Sequence, residues 1–198
     1  MVNSFFKKQK AWSGNALCFF LVSMFITISA CSEKPSRANV KKGEKIFFDL
    51  QGYFDQEAKR LTGTLAKKIA SVDGQREEQT PDSIDFVRDL KIFSQNDINR
   101  PAWSDSYQID STFNQQKELT RLSYTASDEK MKTRKILIDF EQGTVSKIFI
   151  ENGTSSAVAN TKQILTYEPL KGYSIESHQK VTLADDNVFL IEVQFLKN

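Results

Sequence analysis

The chain has 198 residues, of which 39% are hydrophobic and 26% charged, with a formal net charge of +2, two cysteines and one histidine. That length supports one domain with a real core and is short for two. A charge so close to neutral gives no electrostatic footprint for nucleic acid, and a single histidine leaves a zinc site short of ligands.

Lys7, Lys8 and Lys10 precede thirteen uncharged residues, 16–28, reading ALCFFLVSMFITI. A positive n-region followed by an apolar run of about 7–15 residues is the pattern of an export signal. The run is too short for a transmembrane helix, which needs about 20 apolar residues. Ile28, Ser29, Ala30 and Cys31 follow. They resemble the lipobox of bacterial lipoproteins, with a branched aliphatic at −3, small residues at −2 and −1, and cysteine after the cut. The resemblance implies cleavage between Ala30 and Cys31, a diacylglycerol on the Cys31 thiol and an acyl chain on the new amine. Several acyl chains at about 0.8 kcal/mol per buried methylene make such attachment effectively permanent. Cys18 leaves with the signal and Cys31 is lipidated, so no thiol remains for a disulfide. Removal of residues 1–30 takes three lysines and no acids, which leaves 24 basic against 25 acidic side chains, a net charge of −1.

Residues 31–43 read as the lipidated cysteine and a flexible tether, polar and interrupted by Pro35. A coil of that length spans roughly 20 Å. By the enterobacterial sorting pattern, Ser32 after the cysteine points to the outer membrane. Residues 44–198 are then a single globular domain that holds together by its core alone.

Within it, Ile46, Phe47, Leu50, Phe54, Ala58 and Leu61 recur at helical spacing, and Gly63 marks a stop. Residues 64–80 read as strand, turn, strand around Asp73-Gly74, a dipeptide that favours the tight hairpin turn. Thr80 and Pro81 look like a cap and first helical position. Ile84, Val87, Leu90 and Phe93 give a second amphipathic helix over residues 81–95.

Residues 93–107, FSQNDINRPAWSDSY, are rich in turn formers yet carry Ile98, Trp103 and Tyr107. Such a loop either tucks its large residues over the core edge or presents them as a partner-binding lip, with Ile98, Trp103 and Tyr107 as the contacts. The segments FSxxDINxPAW (residues 93–103) and LTYxPxxGYxIxxxQKV (residues 165–181) are similar to segments of envelope lipoproteins of Gram-negative bacteria, a group that implies no catalytic residues.

From residue 117 the apolar period becomes two: Ile136, Ile138 and Phe140 in one run, Phe189, Ile191, Val193 and Phe195 in another. Six strands are expected, over residues 117–126, 133–141, 144–151, 161–168, 173–183 and 188–196, with short connections that pair neighbours antiparallel. The fold class expected is α+β: an antiparallel meander of about six strands, curved if anything, covered by the two helices. Leu137, Phe149, Leu190 and Leu196 lie on the nominally polar face, as they would if the sheet curled around something. A curved sheet capped by helices resembles the architecture with which the periplasmic lipoprotein-carrier family holds acyl chains.

His178 shares a strand face with Glu176 and Lys180, where solvent is its natural neighbour. Ser127-x-x-Lys130 and Ser177-x-x-Lys180 match the S-x-x-K spacing but fall in a hairpin and a strand, whereas that motif works on a helix. No phosphate-cradling glycine loop occurs. No catalytic residue, metal or cofactor is expected. The expectation is a membrane-attached, non-enzymatic binding or accessory subunit of an envelope assembly, with a protein partner. The alternatives are a carrier of an apolar ligand such as acyl chains, and a lipid-anchored hydrolase using a carboxylate pair.

Overall fold

A computed structural model describes residues 45–182 and 186–196, all within one compact unit. The signal run, the Ala30–Cys31 cleavage point, the tether and residues 183–185 lie outside the described residues.

The sheet has nine strands rather than six, all antiparallel and left open, in the order β2-β1-β9-β8-β7-β6-β5-β4-β3. Seven form a continuous meander: β3 (Tyr107–Phe113), β4 (Leu119–Ala126), β5 (Thr133–Glu141), β6 (Thr144–Ser155), β7 (Ala159–Glu168), β8 (Gly172–Val181) and β9 (Asn187–Phe195). The hairpin of β1 (Ala66–Val72) and β2 (Gln75–Gln79) then joins the far side of β9, with Ala66 opposite Phe195 and Val72 opposite Phe189. Its turn is the one Asp73-Gly74 encodes, with φ of 48° and 86°. Gln142-Gly143 turns β5 into β6 in the same way, at 50° and 76°. Two consecutive positive φ values match the twist of a two-residue hairpin.

One helix lies where the spacing puts it. α1 (Leu50–Arg60) starts four residues later than Ile46 suggests, because the Asp49 carboxylate caps it by accepting from Gly52 N at 2.8 Å. The second helix is a correction. Residues 81–95 form two short turns instead, α2 (Phe86–Asp89) and α3 (Lys91–Ser94), separated at Leu90. The reason is in the spacing itself. Apolar residues at a strict three lag the helical repeat by about 60° per step, so one continuous helix would turn Ile84 and Phe93 to opposite faces. The break at Leu90 keeps Leu90 and Phe93 buried and leaves Val87 in solvent at 71% exposure.

The helices cover one face of the sheet, hereafter the inner face. Its core is aromatic: Phe54 lies 5.0 Å from Phe93 and 5.1 Å from Tyr167, and Phe93 lies 5.8 Å from Tyr173, centroid to centroid. Tyr167 and Tyr173 are directly opposite on β7 and β8. Each donates its hydroxyl to a carboxylate on a different helix, Tyr167 to Glu57 and Tyr173 to Asp89 at 2.9 Å. Arg60 grips Glu57 with two bonds of 2.8 Å and reaches the Pro169 carbonyl, while Lys68 from β1 pairs with Asp89. One hairpin therefore anchors both helical segments by charge-assisted bonds. Burial, and then the adjacent carboxylate, pushes both phenols above their ordinary pKa, so they remain donors.

Candidate functional site

Of the three loop residues, the structure puts two in the core. Ile98 is 1% exposed, and Tyr107 is 6% exposed with its hydroxyl on the Thr133 carbonyl at 3.0 Å. As direct partner contacts both are out of reach. The loop is pinned from beneath: Asn99 Oδ1 accepts from Phe47 N at 2.9 Å, and Asp97 Oδ2 accepts from Gln51 N at 3.0 Å. Trp103 is different. It ends a single 3₁₀ turn (Pro101–Trp103), is half-buried, and carries the Arg100 guanidinium 4.5 Å above its ring. An Arg stacked on a half-exposed indole is the composition of an interface anchor.

Beside it runs β3, which sequence reasoning did not find: YQIDSTF alternates too weakly, and Asp110 interrupts it. β3 is an edge of the sheet. Ser127 N donates to Ser106 O at 2.8 Å, which sets the phase of the ladder to β4. Every second residue from Ser106 bonds inward, so Ile109 and Ser111 turn their N–H and C=O groups to the open side. Ile109 and Phe113 project from the inner face at 46% and 58% exposure. The opposite edge, β2, is QREEQ, exposed throughout and protected by charge. β3 carries a single charge, Asp110.

The grooves hold no assembled chemistry. One of about 640 Å³ is lined by Arg121, Asp139, Lys147, Glu168 and Lys171, whose charges are spent on one another, Arg121 with Asp139 at 2.5 Å and Lys171 with Glu168 at 2.6 Å. Glu57 and Asp89 are drawn into the core, but each is held by a tyrosine and a cation, and neither lines any of the five grooves characterised. Among the described residues no group of three or more His, Cys, Asp or Glu converges as a metal site. His178 is exposed, with Nε2 2.5 Å from Glu176 Oε1. Leu137 and Phe149 are opposite one another on the outer face, half-buried, so they shield each other there.

Comparison with known proteins returns no match: no family model, no curated protein and no solved structure is significantly similar to the chain.

Proposed function

We propose that the chain is a lipid-anchored, non-enzymatic binding domain of the bacterial cell envelope, held through Cys31 and directed to the outer membrane by the Ser32 pattern. Its partner is a protein, engaged on the surface that joins Trp103 to the free edge of β3. The observation that carries the binding surface is the asymmetry of the two edges: β2 carries Arg76, Glu77 and Glu78, while β3, with Asp110 its one charge, offers unpaired backbone groups and exposed Ile109 and Phe113 beside a stacked tryptophan. Unpaired strand edges accept an extended segment of another chain. A photo-crosslinking residue in place of Phe113, in the intact acylated protein, captures an envelope protein that the same residue in place of Glu77 on β2 does not. Identical adducts from both edges, or none from either, would overturn the reading.

A second reading has its own observation. On the inner face Ile191, Phe189 and Val72, at 42%, 40% and 45% exposure, lie next to half-buried Ile175 on β8. This apolar strip would suit an acyl chain in a carrier. Displacement of a fluorescent fatty acid, lost in Phe189→Ser, supports it; a probe that never binds removes it.

A further inference from the structure

The register between β5 and β6 slips between Thr133 and Lys135, so Arg134 is an extra residue with no partner across the ladder. A bulge of this kind re-aims a side chain. Arg134 lies across Gly153 on β6: a Cβ there would sit 2.9 Å from Arg134 Nε and 3.3 Å from its Cγ. Gly153 has no positive φ to explain a glycine within a strand, and the close approach of Arg134 does explain it. The same spot opens into a groove of about 850 Å³ that is also lined by Lys130, Lys132, Ser127, Thr154 and Ser155, the last of which donates its hydroxyl to Asn160 Oδ1.

Among the described residues, Arg134, Lys130 and Lys132 make no ion pair with a carboxylate, and neither does their neighbour Lys135, whereas Arg121, Lys147, Lys162 and Lys171 do. The two carboxylates of the groove are otherwise placed. Asp128 Oδ1 accepts from Lys130 N at 2.8 Å and shapes the hairpin turn, while the Asp128 carbonyl accepts from Arg134 Nη1 at 3.3 Å; Glu129 is exposed at the rim. Arg134, Lys130 and Lys132 against Asp128 and Glu129 leave the groove net positive, beside Ser127 and Thr154, a composition that suits an oxyanion.

We infer that this groove is a binding site for a phosphate group, with Arg134 as its fork and Lys130 and Lys132 as point charges. A lipid headgroup and a soluble phosphate share this chemistry.

The test uses the full acylated chain, ¹⁵N-labelled, in non-ionic detergent micelles. One arm titrates inorganic phosphate against chloride at matched ionic strength; the other dopes the micelles with phosphatidylglycerol. The Arg134 Nε and Gly153 amide resonances shift saturably, and Arg134→Gln weakens the apparent affinity by about tenfold or more. Gly153→Ala does the same without changing charge, because the new methyl group displaces the guanidinium; Lys91→Gln, outside the groove, changes nothing. Saturation at lower concentration by the lipid identifies a headgroup, and by phosphate a soluble ligand. No saturable shift in either arm, equal shifts at Lys59 and Lys91, or affinity unaltered in Gly153→Ala would each overturn the site. Should Arg134→Gln lose its dispersed spectrum, the Gly153→Ala result decides alone.

Discussion

Phe93→Ala tests how the helical segments are fixed to the sheet. Phe93 is fully buried, with Phe54, Tyr167 and Tyr173 within 6.0 Å of its ring. A phenylalanine side chain buries about 150–250 Å², and at about 25 cal/mol per Å² its removal forfeits about 4–6 kcal/mol before the remaining alanine is credited. The neighbours cannot collapse into the space, since Tyr167 and Tyr173 are tethered by their hydroxyls to Glu57 and Asp89. The expected loss is therefore about 4 kcal/mol, the middle of the range for such truncations. For a domain of this size that lowers the melting temperature by about 8–16 °C. Urea unfolding of Phe93→Ala and Val87→Ala, followed by tryptophan fluorescence, checks the reasoning. Val87 is on the solvent side of the break at Leu90, so its truncation changes stability by about 0.5 kcal/mol or less. Equal losses in the two variants would refute the split and restore one continuous helix.

Other expectations follow from single contacts. Gly172→Ala abolishes folding or costs several kcal/mol, because a Cβ there would lie 1.8 Å from the Val193 carbonyl oxygen and the φ of +142° disfavours any side chain; normal thermal unfolding of that variant would contradict the register of β8 and β9. Asp49→Ala removes the cap of α1 and costs about 1 kcal/mol near neutral pH. A hydrogen bond from Lys45 holds the Asp49 carboxyl below the ordinary value of 3.8, so the charged form stabilises the fold above that pH. The stabilisation is lost as pH falls through the lower folded value, and the gap between wild type and variant narrows in acid; a constant gap would contradict the charge in the cap. Burial pushes the Tyr107 phenol from 10.0 up to about 12. Its contribution is complete below pH 10.0 and lost as pH rises to about 12, so Tyr107→Phe flattens the alkaline unfolding curve in that window, and an unchanged curve would count against its burial.

Much of the sheet was legible because its inner face is one-sided. Ile136, Ile138, Ile148 and Ile150 are each 1% exposed or less, and burial that complete leaves a clear alternation in the sequence. The turns at Asp73-Gly74 and Gln142-Gly143 were legible for backbone reasons. The pairing of β1 with β9 joins residues more than a hundred positions apart and leaves no local trace. β3 was missed because Ile109, Ser111 and Phe113 on its inner side are exposed, so nothing selected a run of large apolar residues there. In the loop, residue type showed that Ile98, Trp103 and Tyr107 matter but not which way each faces. Core packing took Ile98 and Tyr107. The groove around Arg134 had no signature either, since a bulge and a strand glycine acquire meaning only when the register brings them together.

The central claim is that Cys31 holds this domain on a membrane. Intact mass spectrometry of the protein extracted from envelopes, wild type beside Cys31→Ala, tests it directly. The account predicts a wild-type chain that begins at Cys31 and carries diacylglycerol and an amide-linked acyl group, with neither cleavage there nor lipid in the variant. A wild-type protein that still bears Met1, or a chain free of lipid, would contradict it.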